Sequence, residues 1–206
     1  MPLHDPCRSV FPELQVLTLP GWQGSGAAHW QSRWEALHGD ARVEQNDWLW
    51  PLRGDWMMRL DEAIAALVDA HGEQVPVALV AHSLGCHLVA AWAAHSSRTA
   101  AVRGALLVAP PDPERADMPP QLHSFTPIVR ARLPFPALVV VSRDDPFCAP
   151  ARAHAMAASW GCRTLDAGRR GHLNADSGLG DWPEGRQWMA ELLDGRPVGP
   201  AGAPPA

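Results

Sequence analysis

The sequence predicts an α/β architecture: a mostly parallel central sheet with helices on both faces. Three observations carry that prediction. Val77 to Ala81, Ala105 to Ala109 and Ala137 to Ser142 are short, almost wholly apolar runs; amphipathic stretches with helical spacing lie between and around them; and Gly or Pro residues mark many of the junctions. An apolar run without alternation suits a strand buried on both faces. Strands that alternate with helices build β-α-β units, which demand parallel pairing and right-handed crossovers.

In chain order, Leu14 to Leu19 reads as the first strand, stopped by Pro20-Gly21 and followed by the loop Trp22-Gln23-Gly24-Ser25-Gly26. From His29 the pattern turns helical, with Trp30, Trp34 and Leu37 spaced to share one face. Arg42 to Gln45 is read as a short strand and 46–51 as a connection. Trp56 to Ala70 is read as a helix with an apolar stripe of Trp56, Leu60, Ile64, Leu67 and Val68, ended by His71-Gly72. Val77 to Ala81 is the clearest strand, and Leu84 to His95 returns to helix. After the strand Ala105 to Ala109, residues 111–136 hold seven prolines and little periodicity, which predicts a loop, lid-like, with at most one short helix. Ala137 to Ser142 is a strand, Pro150 to Trp160 a helix and Arg163 to Leu165 a short strand. The last helix is placed at Trp182 to Leu193, with Asp181 as N-cap, Glu184 completing a capping box, and Trp188, Leu192 and Leu193 turned inward. This divides the chain into an N-terminal segment 1–13, one domain 14–195, and a Pro/Gly/Ala tail 196–206 expected to be disordered.

Composition excludes several function classes. The 206 residues carry 17 Lys and Arg against 22 Asp and Glu, a net charge of −5, without the clustered positive charge that nucleic acid or an anionic membrane requires. There is no basic start followed by an apolar stretch and no run of about 18 apolar residues. A cytoplasmic protein with no membrane or nucleic-acid partner is expected. Cys7, Cys86, Cys148 and Cys162 are scattered with no C-x-x-C pair, so neither a zinc site nor a disulfide framework is indicated; they read as buried or half-buried thiols. Ten Trp with no Tyr suit a core or a substrate groove equally.

In open parallel sheets ligands bind beyond the carboxyl ends of the strands, so the chemistry is sought there. Directly after the strand 77–81 stands Ala81-His82-Ser83-Leu84-Gly85, followed at once by a helix. This is the setting of a nucleophile elbow, G-x-S-x-G, with Ala81 in place of the first Gly. The elbow lifts Ser83 to the sheet edge and offers the Leu84 N–H to a developing oxyanion. The competing reading is that Ser83 only caps the following helix. A nucleophilic Ser needs a base oriented by an acid, and the α/β-hydrolase chain order is Ser, then Asp or Glu, then His. Asp145 follows the strand 137–142, and His172 follows the strand 163–165, so each stands at a carboxyl edge. Asp144 and, after the strand 105–109, Asp112 are the alternative acids. Among the other histidines His82 is expected to point away from Ser83, since consecutive side chains diverge. The second oxyanion donor is sought in the loop after the first strand, at the N–H of Trp22 or Gln23. Gly24-x-Gly26 before a helix also suits a phosphate, but the Walker Lys and the third Gly of G-x-G-x-x-G are missing. No metal-ligand spacing such as H-E-x-x-H occurs.

Several longer strings carry a resemblance. The runs 20–26, 29–35, 44–48 and 80–86, Ser142-Arg143-Asp144-Asp145-Pro146-Phe147-Cys148, and the long run 171–185 beginning Gly171-His172-Leu173-Asn174 resemble the retinoblastoma-binding protein 9/YdeN-like serine hydrolases, over about residues 14 to 194. The resemblance implies a compact α/β-hydrolase fold without a large cap domain, and a catalytic set mapping onto Ser83, Asp145 and His172, which decides between Asp144 and Asp145. It implies no cofactor. The L-x-C-x-E partner motif is absent, since the nearest string is Leu84-Gly85-Cys86-His87-Leu88, so the retinoblastoma partner is not implied. The expected activity is hydrolysis of a small acyl ester, thioester or activated amide through an acyl-enzyme on Ser83, with the N–H groups of Trp22 and Leu84 as oxyanion hole. An idle binding module on the same fold, or acyl or peroxy transfer by the same triad, are the rival readings. Trp22, Trp48 and Trp182 are pocket or core candidates.

Overall fold

The computed structural model describes residues 14–198, so the segment 1–13 with Cys7, and most of the tail, lie outside the described residues. Six strands form one sheet: β1 (Gln15–Leu19), β2 (Ala41–Arg42), β3 (Val77–His82), β4 (Val102–Val108), β5 (Ala137–Val141) and β6 (Arg163–Asp166). Their spatial order is β2-β1-β3-β4-β5-β6, and every pair is parallel. Five α-helices accompany them: α1 (Trp30–His38), α2 (Arg53–His71), α3 (Leu84–Ala93), α4 (Pro150–Trp160) and α5 (Pro183–Leu193).

Alternation along each strand divides the core in two. Leu17, Leu19, Leu79, Ala81, Leu107 and Val139 face one side with Trp56, Leu60 and Ile64 of α2, the apolar residues of α3, and Met156 and Trp160 of α4. Val16, Ala78, Val80, Leu106, Val108 and Val140 face the other, where Trp30 and Trp34 of α1 meet Trp182, Trp188 and Leu192. Four tryptophans thus form one aromatic layer, with Trp182 4.8 Å from Trp30 and 5.7 Å from Trp188. Cys86 and Cys148 are buried and Cys162 half-buried, and none of the three is in a disulfide. Burial pushes the Cys148 and Cys162 thiols up to about 12.

Three sequence expectations need correction. Leu37 does not share the buried face of α1; it is exposed, and Gln31 is buried instead, its amide donating to the Val80 carbonyl. Asp181 does not cap α5. The N-cap is Trp182, in the left-handed region at φ 43°, with no side-chain cap bond, while Asp181 pairs with Arg33 and its carbonyl accepts from Trp34 Nε1. Trp182 folds over the first turn because Gly185 leaves room: a Cβ there would stand 2.5 Å from the indole. Finally, residues 111–136 are not loosely attached. Leu122 and Phe125, on a 3-10 turn at Pro120–Phe125, and then Ile128, Leu133 and Phe135 are all buried in the first core cluster. The segment has no helical period because it makes a wall from single anchors.

The order of strands places a crevice. From β1 the chain moves outward to β2, then returns past β1 to β3 and builds the remaining strands on that side. The carboxyl ends of β1 and β3 therefore flank the point where the winding reverses, the usual ligand position in such sheets. No helix among the described residues is long and apolar enough to cross a membrane.

Candidate active site

Between β3 and α3 the chain turns through Ser83 at φ 54° and ψ −124°. A non-glycine residue held there costs about 1–3 kcal/mol. The neighbours explain how the turn fits. Gly85 faces the Leu19 carbonyl so closely that a Cβ would stand 2.3 Å from its oxygen, and a Cβ on Gly21 would stand 2.7 Å from Ser83 Cβ. Ala81, where the motif has its first Gly, is buried within β3 and paired with Leu19 and Leu107, and the strand accommodates its methyl group. The Ser83 side chain makes no cap bond to α3, so the capping alternative fails.

The Ser83 hydroxyl instead lies 2.9 Å from His172 Nε2, and His172 Nδ1 lies 3.0 Å from each carboxylate oxygen of Asp145. A carboxylate only accepts, so Nδ1 carries the imidazole proton and Nε2 is left to accept from the serine. The His172 and Asp145 side chains are 9% and 4% exposed, so their contact is shielded from water.

The alternative acids are occupied elsewhere. Asp144 accepts from the Gly171 N–H and from Ser142 Oγ, which ties the β5 loop to the loop that carries His172. The Gly171 bond, with help from Ser142 and Arg169, holds the Asp144 carboxyl below its ordinary range. Asp112 is gripped by Arg152 through two bonds of 2.9 Å. Arg152 also binds Glu114, which holds Arg130 and the Ile128 N–H, so this ionic group fastens the start of the 111–136 wall.

A cavity of about 390 Å³ opens above Ser83. Leu84, Pro111, Met118, Pro119 and Leu122 give it an apolar side, and Trp22, His29, His82, Phe147 and Asn174 are among the other residues around Ser83 and His172 that line it. Of the two candidate donors after β1, Gln23 N–H is engaged with the Trp48 carbonyl at 3.0 Å, which leaves that of Trp22. Leu84 is the first residue of α3, and the N–H groups of a helix's first turn have no intrahelical acceptor. The three tryptophans separate: Trp22 lines the cavity, Trp48 packs behind Gly24, and Trp182 is buried in the opposite core.

Sequence reasoning did not reach the contacts that His82, His29 and Phe147 make around His172. His82 turns to His172: its Nε2 is 2.9 Å from the His172 carbonyl, and the two rings pack 4.8 Å apart. Phe147 covers the other edge of His172 at 4.6 Å. Burial, with the neighbouring His172, pushes His82 well below the ordinary histidine value, and burial first, then His172 and Arg42, lowers His29 to about 4. Alternation puts His82 on the face of Ala78 and Val80, beside Trp30, but nothing local shows that the loop bearing His172 returns to that face.

A six-stranded parallel sheet with a serine on the β3 elbow, facing a histidine and an aspartate from later loops, defines an α/β hydrolase. The profile of the serine hydrolase family matches residues 16–191, and the chain belongs to that family. Among solved structures it is similar to a YdeN-like hydrolase from Pectobacterium atrosepticum, with 27% identity, TM-score 0.75, and 88% of this chain covering 91% of that one. It is also similar in fold to the ydeN gene product of Bacillus subtilis, at 19% identity and TM-score 0.64, over 88% of this chain and all 100% of that one. A thermophilic esterase from Thermogutta terrifontis shares the fold at 16% identity and TM-score 0.58, over 89% and 92% of the two chains. No curated protein matches the sequence.

Proposed function

We propose that this hydrolase cleaves small acyl esters, with thioesters or activated amides as related substrates, through an acyl-enzyme on Ser83. The observation that supports this most is the continuous hydrogen-bonded run from Ser83 through His172 to Asp145, at 2.9 and 3.0 Å, on the wall of a cavity of about 390 Å³. That volume is near the lower end of the range for small-molecule sites, and its apolar side suits a short acyl chain. The fold shared with an esterase is consistent with an ester as substrate.

In the proposed reaction Ser83 Oγ attacks the carbonyl carbon while His172 Nε2 takes its proton. Asp145 keeps the proton on Nδ1 and stabilises the imidazolium that results. The N–H groups of Leu84 and Trp22 receive the oxyanion. The imidazolium then protonates the leaving oxygen, and a water molecule, activated by the same histidine, releases the acid. No step calls for a cofactor, and the partner the reaction requires is the small acyl substrate. An idle binding module would need a misassembled triad, and the distances weigh against that.

The test is labelling of wild type and Ser83→Ala with a fluorophosphonate, followed by p-nitrophenyl esters of increasing chain length. Labelling and turnover that vanish in folded Ser83→Ala are expected. Folded wild type that neither labels nor turns over any ester would sink the reading.

A further inference from the structure

His82 and Ser83 are consecutive residues, yet both engage His172. Ser83 meets its side chain at Nε2, and His82 reaches its main chain, with Nε2 2.9 Å from the His172 carbonyl oxygen. A carbonyl can only accept, so His82 must carry its proton on Nε2. The next carbonyl, that of Leu173, accepts from Trp30 Nε1 at 2.8 Å. Leu173 itself is held at φ 50°, in the left-handed region where a branched side chain is strained. Two successive carbonyls of a strained loop are therefore caught by ring donors, one from β3 and one from α1. Behind His82 stand His29, with ring centres 4.7 Å away, and Trp30, at 6.1 Å, so the imidazole is braced from the far side.

We infer that His82 is a positioning residue for the hydrolytic reaction: its Nε2–H, by holding the His172 carbonyl, sets the height of the catalytic imidazole above Ser83. This rests on the hydrolase reading proposed above. The physical reason is a division of labour between contacts. Asp145 fixes the direction of the His172 ring, but it sits on a separate loop and bonds only the ring's far nitrogen. The bond from His82 ties the backbone of the base to the residue adjoining the nucleophile, so strand β3 sets both halves of the Ser83–His172 distance. A displacement of about 1 Å between reacting groups can cost about a hundredfold in rate.

The test compares wild type with His82→Leu, which fills the space without a donor, and His82→Gln, whose amide N–H has a similar reach. Thermal melting, the rate of fluorophosphonate labelling, and kcat and KM for p-nitrophenyl butyrate are measured on each. In His82→Leu the labelling rate and kcat are expected to fall at least about tenfold with KM changed less than about twofold, and His82→Gln recovers most of the loss. Equal losses in both variants, or no loss in either, would overturn the inference. Long-range proton–nitrogen spectra of wild type decide independently of activity, and of whether His82→Leu folds: the His82 proton is expected on Nε2, and finding it on Nδ1 overturns the placement. Folded wild type that does not label overturns the hydrolase reading and the role with it; labelling wild type beside an unimpaired His82→Leu overturns the role alone.

Discussion

A methyl group on Gly85 would stand 2.3 Å from the carbonyl oxygen of Leu19 and 3.1 Å from that of Pro20. Both contacts are to backbone, so no side chain can swing aside, and β1 and α3 would have to part. Gly85→Ala is expected to destabilise the fold by at least about 2 kcal/mol, read as a lowered melting temperature. An unchanged melting curve would show that the elbow has slack the structure does not display.

The three carboxylates after β4 and β5 separate in activity. Asp145→Asn removes the acceptor for the His172 Nδ1 proton and is expected to lower kcat by about ten-thousandfold. Asp144→Asn loosens the anchor at Gly171 and costs roughly tenfold or less in kcat, while Asp112→Asn leaves the Ser83 and His172 geometry alone. Comparable losses in kcat at positions 144 and 145 would contradict this assignment.

Acyl-chain preference is read from the cavity's apolar side. Leu122 is buried and borders the cavity, so Leu122→Ala extends the space above Ser83. The optimum in a series of p-nitrophenyl esters is expected to move to longer chains, with kcat/KM for the longer ester rising by about ten- to a hundredfold relative to the shorter one. An optimum that stays in place would put the acyl group elsewhere in the cavity.

Arg152→Met strips Asp112 of both its bonds to the guanidinium while the carboxylate remains 11% exposed. Removing one partner of such a pair leaves a charge without compensation, but Arg152 is itself 38% exposed and water can replace part of the contact. A loss of about 1–3 kcal/mol is expected in urea unfolding. No loss would mean that the apolar anchors hold the 111–136 wall by themselves.

His87 makes stability depend on pH. Its Nε2 donates to the Pro111 carbonyl at 2.7 Å, and burial lowers it from 6.5 to about 4. Between those values the unfolded chain binds a proton that the native one refuses, so its contribution is complete above pH 6.5 and is lost as pH falls toward 4. His87→Gln keeps a donor for Pro111 and removes the titration. The fall in unfolding free energy from pH 6.5 to 4 should therefore be shallower than in wild type, by at most about 1.4 kcal/mol per pH unit. Parallel curves would show that His87 titrates alike in both states.

Sequence alone determined the parts that depend on local order. The apolar runs at 77–81, 105–109 and 137–142 read as strands because strands buried on both faces need no alternation, and β3, β4 and β5 are central in the sheet. Pro150 to Trp160 was bounded by its own Pro and Gly, and α4 has those limits. The elbow at Ser83 was legible because strand, tight turn and helix are contiguous. Tertiary structure decided what depends on distant chain segments. It set Asp145, which the family resemblance already favoured, against His172 Nδ1 and engaged Asp144 and Asp112 elsewhere, withdrew Gln23 by bonding it to Trp48, and moved the α5 cap from Asp181 to Trp182 because Arg33 and Trp34 hold Asp181. It buried the wall 111–136 on scattered single anchors, which leave no period to read. It also turned His82 onto His172, a contact between residues ninety positions apart that no local pattern encodes.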